Sequence, residues 1–214
     1  MSLPLAALLL GCGAATILAD YAGRRPVVYV CKPLTILVAM AIAATAAGGP
    51  PPPYRALVLA GLGCSLVGDV FLMLPDKRFA AGLASFLVAH VCYVTAFAGA
   101  APAPAGTLLL AAAAAVGVAV AVPLWPHLGR FRVPVAIYVV ALVALLWQAG
   151  GWAASTGTVN ARLAAAGAVL FTASDAVLAH NRFRRPFRAA QAVILSTYFA
   201  AQGLIAASVG TSLR

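Results

Sequence analysis

The sequence predicts an all-α, polytopic bundle of about eight transmembrane helices, and three observations carry that prediction. Apolar residues fill 64% of the 214 positions and charged residues only 8%, whereas a soluble domain carries roughly a quarter charged residues. The apolar residues fall in runs of about 20, the length at which a helix crosses the hydrocarbon core. Between the runs stand Pro, Gly and Arg, which end helices or sit at the membrane surface.

In chain order the expected spans are 3–20, 27–47, 55–74, 79–99, 105–122, 133–150, 161–180 and 188–209. The first has no basic region before it, ends at Asp20-Tyr21 and is followed by seven more, so it reads as a retained helix rather than a signal peptide. Span two carries Lys32, and the ring of Pro33 removes an amide donor and displaces the Tyr29 carbonyl, which predicts a kink where the charge enters. Thr35, three residues on from Lys32, shares its face and can satisfy exposed backbone. The stretch Gly48-Gly49-Pro50-Pro51-Pro52-Pro53 breaks the chain before span three, which holds Asp69 near its end. His90 and Tyr93 lie on one face of span four, and Asp175 lies in the second half of span seven. In span eight Gln191, Tyr198 and Gln202 stand at i, i+7 and i+11, one polar stripe that faces the bundle rather than lipid. Cys12, Cys31, Cys64 and Cys92 all fall inside spans, where a thiol acts as a small apolar group. The whole chain, 1–214, reads as a single transmembrane domain.

The formal net charge of +10 resembles a nucleic-acid footprint until its distribution is seen, and no nucleic-acid partner is expected. Arg24, Arg25, Lys77, Arg78, Arg130, Arg132, Arg182, Arg184, Arg185 and Arg188 occupy the loops after spans one, three, five and seven, while the alternate loops hold only Arg55 and Arg162. Arg214 ends the chain. The bias places the basic loops in the cytoplasm and both termini outside, with the bacterial inner membrane as the expected location.

The two halves show an internal repeat, 1–100 and 101–214. Gly23-Arg24-Arg25-Pro26-Val27-Val28-Tyr29 opens span two as Gly129-Arg130-Phe131-Arg132-Val133-Pro134 through Tyr138 opens span six. Ser65-Leu66-Val67-Gly68-Asp69 ends span three as Phe171-Thr172-Ala173-Ser174-Asp175 leads out of span seven, and the Arg-Phe pairs Arg78-Phe79 and Arg182-Phe183 follow. An offset of four spans predicts parallel repeats about an axis along the membrane normal.

An ionisable group in hydrocarbon costs several kcal/mol, so it marks a functional site by default. Given the orientation, Lys32, Asp69 and Asp175 come to similar depth on the cytoplasmic side, and His90 and Tyr93 can line the same cavity. Asp20 is close enough to its helix end to be solvated, and Tyr29, Tyr138 and Tyr198 read as packing or interface residues. No phosphate-cradling Gly-rich loop, HExxH or nucleophile elbow is present, and His90, His127 and His180 are scattered. No metal or cofactor is therefore expected. Small hydroxyls such as Ser65 and Ser174 usually bond the backbone.

The strongest chemical feature is the carboxylate pair. Two carboxyls close together in a poor dielectric cannot both ionise easily, so one keeps a proton and the other, helped by a cation such as Lys32, carries charge. That arrangement suits hydrolysis through an oxocarbenium-like species, and the basic loops can attract an anionic phosphate head group.

Lys32-Pro33-Leu34-Thr35, Ser65-x-x-Gly68-Asp69, His90-x-x-Tyr93 and Leu170-Phe171-x-x-Ser174-Asp175, in this order and on these spans, resemble the YhhN/TMEM86 family of lysoplasmalogenases over nearly the whole chain. The resemblance implies hydrolysis of the vinyl-ether bond of a lysoplasmalogen in the membrane, releasing a fatty aldehyde and a glycerophospho-ethanolamine or -choline. By the same resemblance Asp69 and Asp175 are the acid/base pair, with Lys32, Thr35, His90, Tyr93 and Ser174 as binding or tuning residues. The rival reading is a proton-coupled transporter, which also uses intramembrane Asp, Lys and His. A carrier needs its charges near the midplane and open to both sides, whereas here they group toward one leaflet.

Overall fold

The computed structural model describes residues 3–50, 52–74, 78–102 and 106–210; Pro51, Lys77 and Arg214 lie outside them. Eight helices follow one another: α1 (Leu3–Tyr21), α2 (Arg25–Thr45), α3 (Tyr54–Met73), α4 (Phe79–Ala100), α5 (Thr107–Leu124), α6 (Arg132–Thr156), α7 (Val159–Phe183) and α8 (Ala190–Ala207). No strand occurs among the described residues. All eight are long and apolar enough to cross a membrane, and the chain is an integral membrane protein.

Most boundaries fall within a few residues of those expected. The exception is α6, which runs through Gly150-Gly151 to Thr156 and stops at Gly157, whose φ of 61° is the left-handed conformation that favours glycine. The extra turn has a packing reason. Trp152 is buried with its ring 5.3 Å from Tyr54 and 6.2 Å from Phe97, and apolar burial outweighs the about 1 kcal/mol that each helical glycine costs. Thr158 then caps α7 by accepting a hydrogen bond from the Ala161 amide. Two 3-10 turns, Trp125–His127 and Gly129–Phe131, join α5 to α6, and α2 continues through Pro33.

The helices pair α1 with α2, α3 with α4, α5 with α6 and α7 with α8, and further contacts join α2 to α3 and α8, and α6 to α4 and α7. Glycine lets α3 approach α4 closely: a Cβ at Gly61 would run into the Tyr93 ring, and one at Gly68 would lie 2.8 Å from Phe86 Cε2. The core is correspondingly aromatic, with Phe86, Tyr93, Phe97, Phe171 and Tyr198 in mutual edge or stacked contact. Large apolar side chains such as Leu108, Val122, Val140 and Leu10 are exposed on the outside of the bundle, as a lipid-facing surface requires.

The described residues of the loops after α1, α3, α5 and α7 lie at one end. There Tyr21 donates to the Arg188 carbonyl at 2.8 Å, and Phe79, Phe131 and Phe183 form a ring cluster with centroids 5.5–5.7 Å apart. At the other end Arg55 donates to the Ala46 carbonyl, Asn160 bonds the Ser208 and Gly210 carbonyls, and Tyr54 shares a hydrogen bond with Ser208. The described basic-loop residues thus share one face of the bundle.

Candidate active site

Four of the eight helices bring the ionisable groups together. Lys32 on α2 lies one and a half to two turns from the basic end, and Asp69 on α3 about one turn from it; the ammonium Nζ is 3.0 Å from Asp69 Oδ1. Both are buried, at 7% and 1% exposure. Tyr198 on α8 donates to the other oxygen, Asp69 Oδ2, at 2.7 Å. Asp69 therefore has a cation on one oxygen and a phenol on the other, the compensation that a charge in low dielectric requires.

Asp175 on α7 sits in a different setting. Tyr138 on α6 donates to its Oδ2 at 2.7 Å, and His90 Nε2 on α4 lies 3.4 Å from the same oxygen, in contact but outside hydrogen-bond geometry. His90 is held by its other nitrogen: Nδ1 is 2.7 Å from the Phe86 carbonyl. Carbonyl oxygen only accepts, so Nδ1 carries the hydrogen and Nε2 faces the carboxyl. The imidazole is wedged between Tyr138 and Phe171, with ring centroids 5.0 and 4.6 Å away.

Both carboxylates line one cavity of about 160 Å³, together with Lys32, Ser174, Gln191 and Tyr198. Ser174 Oγ is engaged there, donating to the carbonyl of Ile194, another lining residue, at 3.0 Å. Gln191 and Tyr198 are two members of the polar stripe on α8; the third, Gln202, accepts a 2.7 Å hydrogen bond from Tyr93. Tyr93 is thus tied to Gln202 rather than to a carboxylate, and Thr35 donates back to the Cys31 carbonyl at 2.8 Å. Neither lines the cavity. Asp20, at the end of α1, does not reach it either.

The sequence reading of Tyr138 and Tyr198 as packing residues needs correction, since each is the hydrogen-bond partner of a buried carboxylate. Tyr29, by contrast, is 46% exposed. The signal for Tyr198 was its register with Gln191 and Gln202.

A bundle of eight spanning helices in which a lysine and two aspartates line one cavity, with His90 against Asp175 but outside the cavity wall, is the architecture of a membrane protein with an intramembrane polar site. The chain belongs to the YhhN family, whose model matches residues 27–209. It is 37% identical over 182 residues to "Lysoplasmalogenase TMEM86B" of Sus scrofa, covering 85% of this chain and 74% of that protein. It is 33% identical over 182 residues to a "Lysoplasmalogenase" of Mycobacterium bovis, covering 79% and 66%. The membrane protein YhhN of Escherichia coli O157:H7 is 30% identical over 191 residues, covering 89% and 91%. No solved structure matches the chain.

Proposed function

We propose that the protein is a membrane-embedded hydrolase that cleaves the vinyl-ether bond of lysoplasmalogens, with Asp69 and Asp175 as its acid/base pair. The observation that carries this reading is that two buried carboxylates in unlike settings line one cavity, in a chain whose relatives are named lysoplasmalogenases. Vinyl ethers hydrolyse by protonation of the β-carbon, addition of water to the oxocarbenium that results, and collapse of the hemiacetal.

The two settings divide the work. Asp69, against the Lys32 ammonium, is the better seat for negative charge and serves as base toward water. Among the described residues Asp175 has no lysine or arginine in ion-pair contact, and its oxygen lies 3.4 Å from the lone pair of His90 Nε2, so a proton on one of the two is the arrangement without repulsion. That proton goes to the β-carbon. Asp69 accepts a proton from the attacking water as the C–O bond forms. The hemiacetal hydroxyl then returns its proton to the Asp175–His90 pair, Asp69 protonates the departing glycerol oxygen, and fatty aldehyde and glycerophospho-alcohol leave. Tyr138 and Tyr198 position the carboxyls, while Tyr93, Thr35 and Ser174 support the surrounding helices.

The same reading places the basic end in the cytoplasm, following the charge bias, and the site in that leaflet. It also supports a parallel four-plus-four repeat. Asp69 on α3 is held from α2 and α8, and Asp175 on α7 from α6 and α4; an offset of four helices exchanges the two sets.

The test is aldehyde release by detergent-purified protein from a lysoplasmalogen and from the analogue whose ether chain is saturated. Aldehyde from the vinyl ether alone is the expected result. Substrate-driven proton flux into liposomes without any aldehyde would overturn the hydrolase in favour of a carrier.

A further inference from the structure

The Arg-Phe pairs that follow the two aspartates are not used by the chemistry above, yet both reach the site's entrance. A polar cavity of about 420 Å³ at the basic end is lined by Arg78, Arg182, Asn181 and Phe79. Leu72 and Leu178 line it too, and these same leucines line both the catalytic cavity and a narrow apolar cleft of about 40 Å³. That cleft, bounded by Phe79, Phe183, Leu124 and Val139, has Asp175 in its wall. Three spaces, one cationic, one acidic and one apolar, therefore adjoin at a single pair of leucines.

The arginines are presented rather than consumed. The Arg182 guanidinium lies over the Phe79 ring, 5.2 Å from its centroid, which holds it at the mouth without using its hydrogen-bond donors. Ion pairs among the described residues involve Lys32 and His90, not these two side chains. Lys32, by contrast, spends its charge on Asp69 and is buried beneath the mouth. Arg182 stands seven residues beyond Asp175 on α7, about 10 Å along the axis, a distance that an arginine side chain and a glycerophosphate together span.

We propose that Arg78 and Arg182 form the phosphate subsite for the lysolipid head group, so that the chain turns into the apolar cleft and the bond between them lies at Asp175. The inference rests on the lysolipid reading above. Guanidinium groups bind phosphate oxygens by paired, charge-assisted hydrogen bonds, and a lipid bent around Leu72 and Leu178 presents its sn-1 ether at the carboxyl.

The test measures binding, so that it stands apart from turnover. A saturated 1-O-alkyl-glycerophosphocholine, which cannot release aldehyde, and the matching 1-O-alkylglycerol without phosphate are titrated into wild type, Arg78→Gln, Arg182→Gln and the double variant, with thermal unfolding as a fold control. The double variant is expected to bind the phospholipid at least about tenfold more weakly, with the phosphate-free lipid unchanged and Arg→Lys versions intermediate. Equal weakening for both lipids, or none for either, would overturn the subsite. Displacement of the phospholipid by inorganic phosphate alone at about millimolar concentration would assign the arginines to free phosphate and overturn the head-group role. Absence of aldehyde from the vinyl ether, with phosphate-dependent binding intact, would count against the hydrolase and not against this subsite.

Discussion

Each buried carboxyl is defined by what neutralises it. Asp69 is compensated by Lys32 and Tyr198, so removing the cation alone leaves an unpaired charge in the bundle. Lys32→Met is expected to destabilise the folded protein by about 3–5 kcal/mol, and Lys32→Met combined with Asp69→Asn to recover most of that stability without recovering turnover; thermal unfolding and aldehyde release, measured on the same samples, separate the two effects. Tyr138→Phe removes a hydrogen bond to Asp175, for an expected stability loss of about 1.5–3 kcal/mol, and unchanged stability would show that water takes the phenol's place. The sequence made the charged partners legible, because an aspartate and a lysine at one depth in hydrocarbon have little to do but meet. It did not reveal the tyrosines, since a phenol that bonds a carboxylate and one that merely packs leave the same letter in an apolar run. Tyr93 shows the reverse error: its spacing from His90 is right for one helical face, but its hydroxyl goes to Gln202, further from the basic end.

Helices α3 and α4 show how backbone shape sets the site. Gly61 and Gly68, seven residues apart on α3, admit the rings of Tyr93 and Phe86, and Phe86 both lines the cavity of the two carboxylates and supplies the carbonyl that orients His90. Gly68→Val should therefore overpack this contact at a cost of about 1–3 kcal/mol and lower turnover by shifting His90. An unchanged melting midpoint and rate would refute the notch. Run length and the breakers between runs disclosed all eight helices, because a membrane admits few other backbones. The end of α6 escaped, since Gly150-Gly151 reads locally as a breaker, and only the tertiary contact of Trp152 with Tyr54 and Phe97 carries the helix past it.

Over the whole molecule the charges do two jobs: the described arginines of alternate loops gather at one end, and Lys32 and Asp69 are buried within about two turns of that end. The orientation proposed above rests on the positive-inside bias. In intact cells a membrane-impermeant thiol reagent is expected to label Arg55→Cys and spare Arg185→Cys, and the opposite pattern would invert the topology and move the site to the outer leaflet. An enzyme placed as proposed meets its substrate sideways from the cytoplasmic leaflet, near arginines that favour anionic lipid.

On the proposed mechanism Asp69 and Asp175 act together as base and acid on a vinyl ether. Its most direct test is the rate of aldehyde release from a lysoplasmalogen by wild type, Asp69→Asn and Asp175→Asn, each shown to be folded. Both variants should fall by about 10²–10⁴-fold, the range that general acid–base catalysis supplies; wild-type turnover in either would contradict the claim.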